Sequence, residues 1–234
     1  MRNSAIAVFL ITFGCIASFC ALHLAAPARV QAEAKLVGDG IAAIVGSTVP
    51  SKESEVILRS DVDLRARLLL LGRGGAETLE RELTGALLAE VLRSLIDEAL
   101  IIFEARRIDL PAPSQADIAR ERARLISAAG GEARIKQLMR RLSLRESDLT
   151  RIAQRRARVV GFLTAHLGDE GVVTEQALRE RFEGGDHPFV GLSFEDAAAG
   201  LRLMIRDERI TQAVADWVRV LRERVRVVVR ARYG

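Results

Sequence analysis

Val225-Arg226-Val227-Val228-Val229-Arg230 is the stretch on which the closure of this chain turns. Its valines are stiff at χ1 and suit a pleated strand better than a helix, so it predicts a strand. A strand needs a partner for its backbone donors and acceptors. Far upstream stand the other runs of this kind, Gly40-Ile41-Ala42-Ala43-Ile44-Val45-Gly46 and Glu55-Val56-Ile57-Leu58, separated by the turn-forming residues 50–54. The 225–230 strand is therefore expected to pair with 40–46 or with 55–58, bringing two distant segments into one small sheet.

What lies between reads as helix. Aromatic residues make up 4% of the sequence and prolines number five, while Ala, Leu, Arg and Glu dominate, a balance that favours helix over sheet. Ser60, with Asp61 and Asp63 behind it, predicts a capped helix over 61–71, stopped by Gly72, Gly74 and Gly75. The strongest helical pattern covers 79–107, where Leu87, Leu88, Val91, Leu92, Leu95, Ile96, Leu100 and Phe103 keep three- and four-residue spacing. Pro111 and Pro113 break it, and Ser114 with Asp117 offers a cap for a helix over 115–129 that Gly130-Gly131 ends. Helices over 132–142, 145–167 and 174–182 follow. After Gly184-Gly185-Asp186-His187-Pro188, Ser193 opens a long helix through Arg224, striped by Leu201, Met204, Ile205, Ile210, Val214, Trp217, Val218 and Leu221.

Arg2 precedes an uncharged apolar run over 5–26, and small residues recur at Ala26, Ala28, Ala32 and Ala34, the layout of an export signal. Cleavage is expected after Ala32, with Ala28 in reserve; the alternatives are an uncleaved inner-membrane anchor and a lipid attached at Cys15. Both cysteines, Cys15 and Cys20, lie in this segment, so the mature chain is expected to hold no disulfide. Removing 1–32 takes away Arg2 and Arg29 and no acid, lowering the formal charge from +4 to +2. The arginines alternate with acids along the helices, which argues for solvated helix faces rather than a nucleic-acid surface.

Motifs that carry chemistry are sparse. His166 and His187 are too isolated for a zinc site. The glycine pairs at 74–75, 130–131 and 184–185 lack the lysine of a phosphate loop and read as helix stops. Asp97-Glu98 are neighbours on a helix, about 100° apart, and read as its surface. No nucleophile, base and orienting group can be nominated together, so neither enzyme, cofactor, metal nor nucleotide is expected.

The order of elements resembles a known family. Ile41-Ala42-Ala43-Ile44-Val45-Gly46 followed by Val56-Ile57-Leu58-Arg59-Ser60-Asp61-Val62 looks like the opening of SurA-like periplasmic chaperones. Leu95-Ile96-Asp97-Glu98-Ala99-Leu100-Ile101 with Glu104-Ala105 is similar to the family's next segment. Pro113-Ser114, Leu138, Leu142-Ser143-Leu144, Leu149, Val173-Thr174-Glu175 and Phe182 continue it, and Trp217-Val218-Arg219-Val220-Leu221-Arg222 precedes the closing strand. Where the family inserts one or two parvulin-type prolyl isomerase domains, only residues 184–192 stand here as a linker.

The resemblance implies a mostly α fold: a helical chaperone lobe over 33–183, completed by the C-terminal helix and strand over 193–234. It implies an ATP-independent holdase that cradles unfolded or extended exported proteins, outer-membrane β-barrel proteins among them, without nucleotide or nucleic acid. Client contacts would come from Leu88, Leu92, Phe103, Phe162, Met204 and Trp217, although Trp217 also fits the helix's core stripe. The rival reading is a non-catalytic assembly factor dedicated to one envelope partner, with a homodimer formed through apolar faces around Leu68 to Leu71.

Overall fold

The computed structural model describes residues 39–74, 76–167 and 172–233; the expected signal segment, its cleavage point and both cysteines lie outside them. Among the described residues the fold is mostly helical, with one small antiparallel sheet. Strands β1 (Ile41–Val45), β2 (Glu55–Leu58) and β3 (Val227–Val229) lie in the order β2-β1-β3. The terminal strand thus takes the first of its two expected partners, with Ala43 opposite Val229 and Val45 opposite Val227. Ala42 to Val45 have no solvent exposure, which is why β1 is apolar throughout rather than alternating.

Seven helices complete the described fold: α1 (Arg59–Gly74), α2 (Gly85–Arg107), α3 (Gln115–Ala128), α4 (Glu132–Leu142), α5 (Glu146–Leu167), α6 (Glu175–Glu183) and α7 (Phe194–Arg224). Three apolar clusters hold them. The first joins β1 and β2 to α2, the C-terminal half of α5 and the C-terminal half of α7, with Phe162 and Leu100 fully buried in it. The second packs Leu64, Leu68 and Leu71 of α1 and Leu79 against α3, α4 and the start of α5. Leu68 and Leu71, expected to present a face to a second copy, are therefore core residues of this chain. The third is small: Leu178 of α6 with Ala197, Leu201 and Ile205 of α7. Because α5 spans the first two clusters and α7 the first and third, these helices tie the molecule together.

Three boundaries differ from the sequence reading. β2 runs straight into α1, so Ser60 lies inside the first turn; Asp61 instead accepts from the Leu58 N–H at 3.0 Å, and Ser60 donates to Asp39. Helix α1 continues past Leu71, because Gly72 is a point of close approach: a Cβ there would lie 2.6 Å from the Ala128 carbonyl oxygen of α3. The 79–107 segment is not one helix. A 3-10 turn, Ala76–Glu80, comes first, and Thr84 caps α2 by accepting from the Leu87 N–H. Arg67 of α1 donates to the Leu79 carbonyl at 2.7 Å and pins that turn, a tertiary contact that overrides the helical preference of the intervening residues.

Elsewhere the caps stand where the sequence puts them. Ser114 and Asp117 form a reciprocal capping box on α3, while Thr174 caps α6 and Ser193 caps α7. Ser143, in the left-handed region at φ 52°, closes α4. Replacing Ser114 by alanine leaves the Asp117 N–H without its acceptor and should cost about 1 kcal/mol in urea unfolding. Ser114→Asp should restore most of it, since a carboxylate accepts at the same position.

Candidate functional site

The least ordinary chemistry in the molecule is a buried chain of alternating charges. Glu98 of α2, 5% exposed, accepts from Arg65 of α1 at 2.8 Å and from Arg155 of α5 at 3.0 Å. Arg155 donates onward to Glu55 of β2 at 2.7 Å, and Glu55 also meets Arg106 at 2.5 Å. Four elements are clamped by this run, Arg65–Glu98–Arg155–Glu55–Arg106. Burial alone would raise the Glu98 carboxyl, but Arg65 and Arg155 overcome it and hold the group at about 2. Burial likewise opposes the charge on Arg155, and Glu98 and Glu55 outweigh it, so its pKa rises. Asp97-Glu98, read as helix surface, thus divides: Glu98 points inward, while Asp97 faces α7 and accepts from Arg222.

Two cavities flank this chain and share Arg65 in their walls. The larger, about 610 Å³, opens between β2, α1, α2, the start of α3 and α5. Ile57, Leu64, Leu95, Ile102, Ile118 and Ile152 make its floor. Five arginines rim it, Arg65, Arg106, Arg151, Arg155 and Arg158, against Asp61 as the one acid in the wall. The second, about 430 Å³, is a cleft between α2 and the returning α7, floored by Ile101, Leu163, Val214 and Val218 with Ala215 half-buried beside them. Its rim is of mixed charge, Asp97, Arg219, Arg222 and Glu223, with the buried Glu98 in the wall beneath.

The six residues expected to contact a client do not line one surface. Leu92 and Phe162 are buried in the first cluster, and Leu88, Phe103 and Trp217 are half-buried against it. Met204 stands apart, packed on the third cluster. Phe162 stacks on His166 with ring centroids 4.2 Å apart and meets Trp217 edge-on at 5.7 Å. Among the described residues no acceptor meets the buried Trp217 indole N–H. Residues 184–192 do not form a bare tether, because Phe189 packs on the third cluster. His187 accepts from the Phe189 N–H, which leaves Nε2 to donate to the Phe182 carbonyl at 3.1 Å. His166 likewise bonds the Phe162 carbonyl through Nδ1 at 2.9 Å.

Ala215 was not singled out in the sequence, and Ile101, Val214 and Asp97-Glu98 were read there only as helix core or helix surface, not as walls of one cleft. The available signal was that residues 95–102 of α2 are apolar apart from Asp97 and Glu98. A helix covered on nearly all sides can carry a carboxylate only where cations meet it.

In comparisons with known proteins, no family model, no curated protein and no solved structure matches this chain. Among the described residues, no group of three or more His, Cys, Asp or Glu side chains gathers as a metal site, and no helix is long and apolar enough to cross a membrane.

Proposed function

We propose that this chain is an ATP-independent periplasmic holdase that binds unfolded or extended segments of exported proteins, and that it works without an isomerase domain. The observation that carries this reading is the α2–α7 cleft. It presents an apolar floor under a polar rim, built between the lobe and a helix that returns from the far side of the molecule. Such a surface takes extended chains of varied sequence through apolar contact, the rim pairing with whichever polar groups pass. The resemblance to SurA-like chaperones supports the same reading through the order and spacing of elements.

The two walls of the cleft are held by apolar packing, since Val214, Val218 and Leu221 of α7 lie in the first cluster with α2. At its rim the half-buried Asp97 of α2 pairs with the exposed Arg222 of α7, at an Nε–Oδ1 distance of 3.0 Å. With its arginine exposed, such a pair adds on the order of 1 kcal/mol to that packing. Burial raises the Asp97 carboxyl, and Arg222 only partly offsets it.

The test is light scattering of an unfolded outer-membrane protein diluted from urea, with and without residues 33–234. Suppression at near-stoichiometric amounts is expected. Ala215→Arg, which fills the cleft mouth from a half-buried position, should weaken suppression about tenfold while leaving the thermal midpoint within a few degrees. A folded protein that never suppresses aggregation, and that retains a single saturable partner in pull-downs, would replace this reading with that of a dedicated assembly factor.

A further inference from the structure

The 610 Å³ cavity is distinct from the α2–α7 cleft, and its chemistry is far more one-sided. Of its five arginines, three are engaged by the buried carboxylates of Glu55 and Glu98, and Arg151 reaches Asp61 at 3.6 Å and Asp148 at 3.5 Å. Arg158 of α5 is different. It is half-buried, and among the described residues no acceptor meets its guanidinium. Arg158 also stands in the wall of a neighbouring cavity of about 300 Å³, formed with residues 110–113 and with Asp117, Arg120 and Glu121 of α3. A cation left without an acceptor, beside four more arginines and over an aliphatic floor, is a place for an anion that also carries apolar groups.

The wall that completes the cavity indicates what bears that anion. Among the described residues β2 has β1 on one side only, which makes it an edge strand, and its Val56 and Ile57 stand in the cavity wall. The four residues of β2 span roughly 13 Å, enough to lie alongside a similar length of extended chain. Apart from the Leu58 N–H, already given to Asp61, an edge strand offers backbone donors and acceptors that a small anion or an acyl chain would leave unused. In an extended chain successive side chains alternate in direction, so a segment with carboxylates and aliphatics in alternation sets one row toward the arginines and the other toward the isoleucine floor.

The geometry points to this cavity as an acceptor site for acidic, aliphatic-rich extended segments of client chains, with Arg158 as the anchoring cation. It deepens the holdase reading, on which it rests for the occupant being an unfolded polypeptide.

The experiment uses the 33–234 chain and a fluorescein-labelled peptide of about ten residues alternating leucine and glutamate, followed by fluorescence anisotropy. Its counterpart alternates leucine and lysine. The acidic peptide should bind at least tenfold more tightly than the basic one, and raising salt from about 50 mM to about 500 mM should weaken it several-fold. Arg158→Glu should abolish most of the preference, whereas Arg158→Lys should retain part of it, as a point charge replaces a fork. Lys136→Glu makes the same charge change at an exposed position of α4 outside both cavity walls, and should leave binding unchanged.

Equal binding of the two peptides by unmodified protein overturns the proposal without recourse to any variant. So does an acidic-peptide affinity that Arg158→Glu leaves intact in a variant whose circular dichroism is unaltered. Saturable binding of laurate with none of the acidic peptide would assign the cavity to an acyl anion and overturn the peptide occupant. Failure to suppress aggregation, with charge-selective and Arg158-dependent peptide binding preserved, would remove the holdase reading and leave this site standing.

Discussion

Glu98→Ala is expected to destabilise the protein by about 3 to 5 kcal/mol in urea unfolding at pH 7, the largest effect of any single charge substitution in the lobe. The reason is geometric. Glu98 is the common acceptor of Arg65 and Arg155, so its removal takes the carboxylate from Arg65 and leaves Arg155 to Glu55 alone, beside an apolar cluster. Glu98→Gln keeps the shape and one acceptor oxygen but loses the charge, and should cost nearly as much. Replacing the network with apolar residues of similar size, as in Glu98→Leu with Arg155→Met, should recover part of the loss, because dehydrating the ions is itself costly.

The same group makes stability depend on pH in a defined direction. Its carboxyl sits at about 2 in the fold against an ordinary value of 4.5, so the unfolded chain binds the proton more tightly than the folded one. The contribution is therefore fully present above about pH 5 and is lost as pH falls through the folded value near 2. Linkage puts that contribution at about 3 kcal/mol. Unfolding free energies measured from pH 7 down to pH 2.5 should fall in the wild type and fall markedly less in Glu98→Gln. Parallel curves for the two proteins would show that Glu98 is not the proton-linked group.

This carboxylate also marks the limit of what the sequence discloses. Local rules suffice for Ser114 with Asp117, for Thr174 and for Ser193, because a cap and the amide it satisfies lie three residues apart. They suffice for the closing strand as well, since a β-branched run needs a partner and only two candidates of its kind were present. Glu98 is another matter: its partners lie 33 and 57 residues away in sequence, on different helices. Gly72 shows the same limit, because a glycine that admits the α3 carbonyl and one that stops a helix are indistinguishable in sequence. The apolar residues chosen as client contacts follow this logic. Leu92 and Phe162 keep helical spacing because they are core, and spacing does not separate a core stripe from a groove floor.

Gly46 is where sheet closure and helix packing meet. It follows β1, holds φ at +93°, and donates its N–H to the Arg226 carbonyl at 2.8 Å, the bond that leads into the β1–β3 ladder. Any Cβ at this position would collide with the Phe103 ring of α2. Gly46→Val therefore meets two penalties, a backbone region that β-branched residues avoid and an overpacked contact beneath the strand. Together they should cost about 3 kcal/mol and lower the thermal midpoint by roughly 10 °C for a domain of this size. The double variant Gly46→Ala/Phe103→Leu should be more stable than the sum of its single variants implies, since a smaller side chain vacates the space the new methyl needs. Strict additivity would mean that the strain lies in the backbone alone. Coupling of the predicted sign would fix Phe103 as the piece that holds α2 against the end of β1, and would move any search for client contacts to the cleft and cavity walls.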